Sequence, residues 1–453
     1  MAQHKGNRPR WMLHLQAQVW RILMGIGMQL HRLARPLPPS PSFHRYIEAT
    51  VSPLKGKFRL QFYVPKDYHS RKRLKGGKRY PCVINFHGGG FTLGTAKDDS
   101  RWAGCVVDKV GAVVVSVDYR LAPEFPFPTA VEDGADAVLW LAQHADELLL
   151  DPERFAVSGF SSGGNMSFTV PLCLQGELNT EDAKSGAGAG HGLDRGPEGE
   201  GEHRGSVPTQ AHLLAPPQTT TTTTNTASNA ALLRPGTSST NAPTPTGSRI
   251  ALTRQKSRLD RIAVLRQTGV SSLSLISSYK DGPSVSVLTS SSPLLKIRGI
   301  ISFYPSTDYT QTREQRRQTC SRTDQQLPAV FTELFDDSYL QPPSLDLAHP
   351  WLSPGVAPEK MLRVLPDDVV LFTCEWDMLL AEGERLRDRL EKELGKRVAY
   401  HMVPGVPHGW DKAPNPIRES PGARQQYEVA CRELRRMFDV DEEGEGEGDE
   451  GGD

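Results

Sequence analysis

The chain is poor in hydrophobic residues, in paired cysteines and, over its first stretch, in carboxylates. Only 37% of its 453 residues are hydrophobic. That is low for a compact globule of this size and implies a core diluted by sequence that cannot bury itself. Lys plus Arg equals Asp plus Glu, at 53 each. The balance gives no electrostatic ground for a nucleic-acid partner. Six cysteines lie far apart, with no CxxC and no Cys/His cluster at zinc spacing. They read as reduced, buried thiols of a cytosolic protein. No carboxylate precedes Glu48, whereas Asp439–Asp453 is almost all Asp, Glu and Gly.

A long hydrophobic run is also missing. Trp11 to Leu30 is interrupted by His14, Gln16, Gln18 and Arg21, and Ile22–Met28 is too short to span a bilayer. No small-residue cleavage site follows it. Trp11, Leu15, Val19, Ile22, Leu23, Ile26 and Leu30 recur at helical spacing, so an amphipathic helix fits. Three roles stay open for it: a lid packed on the fold, a helix lying on a membrane surface, or an organellar presequence. The expected location is cytoplasmic, with peripheral membrane contact through residues 11–30.

Residues 51–174 alternate between strand and helix patterns. Phe58–Val64, Tyr80–Phe86, Ala112–Val117 and Arg154–Ser158 read as strands, Pro128–Leu149 and Ser162–Leu174 as helices. The pattern stops near Gly176. From there to Pro293 the chain is rich in Gly, Ser, Thr and Pro, with six threonines at Thr219–Thr224. Such a segment buries too little to offset its ordering entropy and is expected to be disordered. Within it, Ile250–Arg266 has the pattern of a basic amphipathic helix, and Arg254, Lys256 and Arg258 around Ser257 resemble a basophilic kinase site. Order resumes with strands at Lys296–Tyr304, Val369–Cys374 and Val398–Val403 and helices at Leu380–Leu394 and Gln425–Met437. The expected organisation is an N-terminal helical segment (1–50) and one catalytic domain (51–175 and 294–438). An insertion (176–293) and an acidic tail (439–453) lie outside it. A long surface insertion adds little loop-closure entropy.

Gly159-Phe160-Ser161-Ser162-Gly163 is G-x-S-x-G, set between a strand and a helix. In that context it is a nucleophile elbow, whose glycines let strand and helix approach closely. Ser161 has glycine two places to either side, whereas Ser162 would need a small residue where Phe160 stands. Ser161 is therefore the candidate nucleophile. His87-Gly88-Gly89-Gly90 follows the strand Tyr80–Phe86, and its bare glycines leave backbone N–H groups free to face an oxyanion. Gly88, Gly89 and Ser162, the residue after the nucleophile, are the candidate donors. A serine needs a base, and the base an orienting carboxylate. In folds with this elbow the order is Ser, acid, His. Asp377 and His408 each lie just past a strand, where loops at the carboxyl ends of parallel strands form sites. Glu375 is the rival acid; His401, inside a strand, and His349, before Pro350, are weaker bases.

These residues together resemble the hormone-sensitive lipase family of α/β-hydrolases, which includes bacterial esterases and arylacetamide deacetylases. The likeness covers roughly residues 80–174 and 294–412. It rests on His87–Phe91, Asp118-Tyr119-Arg120-Leu121-Ala122-Pro123-Glu124, Phe127-Pro128, Glu132-Asp133, the elbow, Asp377-Met378-Leu379 with Glu382-Gly383, and His408-Gly409. It implies an α/β-hydrolase fold: a mostly parallel eight-stranded sheet, helices on both faces and an N-terminal helical lid. It also implies that Asp118–Glu124 braces the glycine loop through a buried polar network. Phe160 stands where the family usually has Asp, Ser162 where it has Ala, and Trp410 where it has Phe. The long insertion is absent from small members of the family.

The expected activity is carboxylester hydrolysis by Ser161, Asp377 and His408, on a small-molecule or lipid-like ester, with no metal or cofactor required. Acyl transfer to an alcohol, or ligand binding without catalysis on the same fold, are the competing readings.

Overall fold

The computed structural model describes residues 8–73, 79–185, 285–289 and 292–440. The central sheet runs β1 (Phe43–Glu48), β2 (Lys57–Tyr63), β4 (Val113–Asp118), β3 (Tyr80–Phe86), β5 (Leu150–Phe160), β7 (Ser292–Phe303), β8 (Asp368–Trp376), β9 (Arg397–Pro407). Strands β3, β4, β5, β7, β8 and β9 are parallel to their neighbours in this set, and β1 and β2 join antiparallel at one edge. A ninth strand, β6 (Val285–Thr289), forms an antiparallel pair with the start of β7. The fold is that of an α/β-hydrolase, as the motifs imply.

The sheet is two-sided because its central strands β3 and β4 are buried at almost every position. Cys82, Ile84 and Phe86 of β3 face one core, while Val83 faces the other. The same alternation places Val113, Val115 and Val117 of β4 on the first side and Val114 on the second. Helices α4 (Thr129–Gln143) and α5 (Ser162–Ser185) cover the first face, joined by Leu386 of α9 (Leu380–Asp388). Helices α3 (Ser100–Val110) and α10 (Ala423–Met437) cover the second, through Trp102, Val106, Tyr427 and Leu434.

Several elements lie beyond those expected from the sequence. Strand β1 buries only Ile47, and helix α3 is amphipathic, with Trp102, Val106 and Val110 at helical spacing. Between β7 and β8 lie α6 (Arg313–Gln318), α7 (Ala329–Tyr339) and α8 (Glu359–Leu362). A short helix, α2 (Tyr68–Arg73), precedes β3. Helix α5 continues to Ser185, nine residues beyond the expected end of order at Gly176, and β6 begins before Pro293. The threonine run, the Ile250–Arg266 pattern with Ser257 and the acidic tail after Val440 lie outside the described residues.

Helix α1 (Arg10–Leu33) packs on the body, but not by the stripe that the sequence periodicity marks. Its buried residues are Leu13, Ala17, Met28 and His31, whereas Trp11, Leu15, Val19, Ile22 and Ile26 face outward. Trp20 meets Phe331 of α7 at 4.5 Å between ring centroids. Arg21 donates to both Glu124 oxygens, at 3.0 and 2.8 Å, and to the carbonyls of Thr92 and Ala122. Beyond the helix, Arg101 donates to the carbonyls of His31, Ala34 and Pro36. No helix among the described residues is long and apolar enough to cross a membrane.

His31 anchors the end of α1. Its Nδ1 lies 3.2 Å from the Ala413 carbonyl, and its Nε2 accepts from Arg101 Nε at 3.3 Å. Burial, with the Lys412 charge adding to it, lowers its pKa to about 4. The folded chain therefore binds fewer protons here than the unfolded one between pH 6.5 and 4, and stability must fall as pH drops through that window. Urea midpoints compared at pH 7 and pH 4.5 should show a smaller acid loss for His31→Gln than for the wild type. An equal loss would place the sensitivity elsewhere.

Candidate active site

The site begins with a crowded turn. β5 runs straight into α5, and Ser161 sits between them at φ +55°, a left-handed conformation that serine rarely adopts. A Cβ on Gly159 would stand 2.1 Å from the Gly163 carbonyl oxygen, and one on Gly163 would stand 1.9 Å from that of Phe86. Only glycine fits either place. The turn is held by the Ser161 N–H donating to the Phe303 carbonyl at 2.9 Å.

The structure brings Ser161, Asp377 and His408 together. His408 Nε2 is 2.9 Å from Ser161 Oγ, and His408 Nδ1 is 2.6 Å from Asp377 Oδ2. The Asp377 carboxylate can only accept, so it assigns the proton to Nδ1 and leaves the Nε2 lone pair toward the serine. Asp377 is buried and its other oxygen accepts the Leu379 N–H at 3.0 Å. The rivals do not reach the serine. Glu375 accepts the Gly405 N–H, His401 stacks on Phe372, and His349 accepts the Trp351 N–H.

The glycine loop lies beside the elbow. A Cβ on Gly88 would touch the Phe160 carbonyl oxygen at 3.0 Å and Ser161 Cβ at 3.4 Å, so the loop's backbone passes close against Ser161. Gly89 has φ +116°, which turns the chain back over Leu93. Among the described residues no acceptor takes the N–H of Gly88, Gly89 or Ser162.

The Asp118–Glu124 segment supports that loop. Tyr119 stacks on the His87 ring at 4.2 Å and donates its hydroxyl to the His87 carbonyl at 2.8 Å. Asp118 accepts the Ala96 N–H, and the Ala122 N–H donates to the Phe91 carbonyl. Arg120 grips Asp133 through Nε and Nη2 and also donates to the Leu54 carbonyl. Both charges of that pair are almost wholly buried.

Other residues around the site were not visible as such in the sequence. Tyr304 presents its ring to His408 at 4.9 Å and donates its hydroxyl to Asp411 at 2.5 Å. Tyr427 donates to the other Asp411 oxygen. Lys412 bridges Asp411 and Asp99, each at 3.0 Å, and lies 3.7 Å above the Phe160 ring. Burial opposes the Asp411 charge, yet Lys412 and the two tyrosine hydroxyls hold its pKa below the usual carboxylate value. The only sequence signal is that Asp411 and Lys412 follow His408 closely.

A cavity of about 430 Å³ opens on Ser161. Its floor is Gly88–Gly90, Ser161, Ser162 and His408; its walls are Leu23 and Met24 of α1, Phe331 and Phe335 of α7, and Leu379. The wall from α7 comes from the region between Asp308 and Pro350, where the sequence places no element.

A family model for the alpha/beta hydrolase fold matches residues 83–274 and 283–412. The chain belongs to this family. It is 44% identical over 88 residues to an AB hydrolase superfamily protein of Schizosaccharomyces pombe, 19% of this chain and 26% of that one. It is 46% identical over 161 residues to the esterase LipI of Mycobacterium tuberculosis, 34% of this chain and 48% of that one. Hormone-sensitive lipase of Ictidomys tridecemlineatus is 42% identical over 90 residues, 20% of this chain and 12% of that one. The chain thus spans less than half the length of each of these relatives. Among solved structures, an esterase of Pyrobaculum calidifontis superposes with a TM-score of 0.56 at 21% identity, over 94% of this chain and 97% of that one. Within the family the chain is hormone-sensitive lipase-like, as its motifs imply.

Breaking the Arg120–Asp133 pair tests the brace. Asp133→Ala strands a buried guanidinium, a loss of about 3–5 kcal/mol by analogy with other buried pairs. Chemical unfolding should show it; a change under 1 kcal/mol would mean that Arg120 finds another partner.

Proposed function

We propose that the protein is a serine carboxylester hydrolase. The reading is carried by one observation: an unbroken Asp377–His408–Ser161 relay at 2.6 and 2.9 Å, ending on a serine held beside Gly88. Ser161 Oγ attacks the ester carbonyl carbon while its proton passes to His408 Nε2. Asp377 keeps the imidazole in the tautomer that can accept it and balances the resulting cation. The carbonyl oxygen becomes an oxyanion facing the N–H groups of Gly88, Gly89 and Ser162, which are turned and unpaired before substrate arrives. Collapse of the tetrahedral intermediate expels the alcohol, which takes the proton from His408. Water then attacks the acyl-enzyme, with His408 as base again, and the acid leaves.

The apolar cavity suits a small-molecule or lipid-like ester. Helix α1 forms part of the cavity wall, which supports its reading as a lid, and residues 11–30 are the proposed point of peripheral membrane contact.

Turnover of a short-chain chromogenic ester by the purified protein tests the proposal. Ser161→Ala should lower kcat by roughly a thousandfold or more, the scale of other triad deletions. A fluorophosphonate should label Ser161 in the wild type and nothing in the variant. Undiminished turnover in Ser161→Ala would overturn the assignment.

A further inference from the structure

Helix α1 is apolar on two opposite sides. At 100° per residue, Leu13, Ala17, Trp20, Met24 and Met28 form one stripe, which the body of the protein covers. Trp11, Leu15, Val19, Ile22, Ile26 and Leu33 form the other, half a turn away. Each of these is between 48% (Val19) and 66% (Trp11) exposed. A surface helix normally shows water its charged face. Here about 33 Å of large apolar surface, from a rise of roughly 1.5 Å per residue, meets solvent.

The helix contributes no negative charge of its own, and the nearby Glu124 of the body is paired with Arg21. No carboxylate occurs before Glu48. Arg10, at one end of the helix, donates to the Pro123 carbonyl of the body, and Arg32 and Arg35 stand at the other, where Arg35 forms a backbone bridge to Arg418. None of these four arginines pairs with a carboxylate among the described residues. Leu23 connects the face to the site: it is 48% exposed and also lines the cavity above Ser161. The apolar wall of the cavity is therefore continuous with the apolar outer face of the helix.

We propose that the outer face of α1 docks the protein on an anionic lipid surface, with the cavity mouth turned toward the lipid, so that ester substrates of long acyl chain enter from that phase. A lipid surface accepts a straight stripe of aliphatic side chains without needing a matching shape. Arg32, Arg35 and Arg418 at its C-terminal end can place their stems in the acyl boundary and their guanidinium groups among anionic headgroups. The docking stands on the helix alone; the choice of substrate rests on the hydrolase reading above.

The test uses the full chain and a variant, Ile22→Asp/Ile26→Asp, whose two sites are exposed and line no part of the cavity. Wild type should sediment with phosphatidylcholine vesicles that contain phosphatidylglycerol and much less with phosphatidylcholine alone, and added salt should weaken the binding. The double variant should bind at least about tenfold more weakly, since it loses two buried aliphatic side chains and adds two repelled charges. It should turn over a water-soluble short-chain ester within about twofold of wild type while losing most turnover of a long-chain ester embedded in the vesicles. Wild type that stays in solution, or a double variant that sediments like wild type, overturns the docking. A wild-type dimer that the double variant converts to a monomer, with vesicle binding unchanged, assigns the face to a second copy of the chain instead. A Ser161→Ala variant that keeps short-ester turnover yet binds vesicles would sink the hydrolase reading and leave the docking intact.

Discussion

The site depends on a backbone contact that admits no side chain. Where β5 turns into α5, the carbonyl oxygens of Gly163 and Phe86 stand about as far from the α-carbons of Gly159 and Gly163 as a Cβ would allow only by overlap. That compression lifts Ser161 out of the sheet at positive φ and brings the end of β3 against the elbow. Since β3 leads directly into the glycine loop, this crowding sets the position of Ser161 and of the proposed oxyanion donors together. The strain on Ser161 is held by the sheet around it, which is buried on both faces and cannot relax locally.

The proposed base is held differently. His408 sits on a loop after β9, and the strand itself is only partly buried. What steadies the loop is the group of Tyr304, Tyr427, Asp411, Lys412 and Asp99, in which each charge has an opposite partner. Phe160, which replaces the carboxylate usual in the family, takes part in this group through its ring. It stacks on Phe303 at 4.3 Å below and carries the Lys412 ammonium above. An aromatic face can hold a cation without adding a titrating group beside the serine.

The sheet and the three residues of the relay were legible in the sequence because each is marked locally. Central strands are mostly apolar runs, the elbow carries its glycines at fixed spacing, and Asp377 and His408 each follow a strand. Boundaries moved by a few residues: the strand read at Arg154–Ser158 extends over Leu150–Phe160, and the helix read over Pro128–Leu149 is shorter, at Thr129–Gln143. Less legible was anything defined by a partner distant in the chain. Strand β1 is an edge with one buried residue, and α7 is recognisable as a cavity wall only once α1 lies against it. The periodicity of α1 marks it as helical, and the helix spans Arg10–Leu33. Which of its two apolar sides turns inward is decided by the surface it meets, and no pattern within the helix carries that information.

Arg21 belongs to α1, yet three of its acceptors, Thr92, Ala122 and Glu124, belong to the glycine loop and the segment that braces it. A single guanidinium thus ties the helix to the strap behind the glycine loop. A load on the helix from outside is borne first by that strap, through one fork of hydrogen bonds.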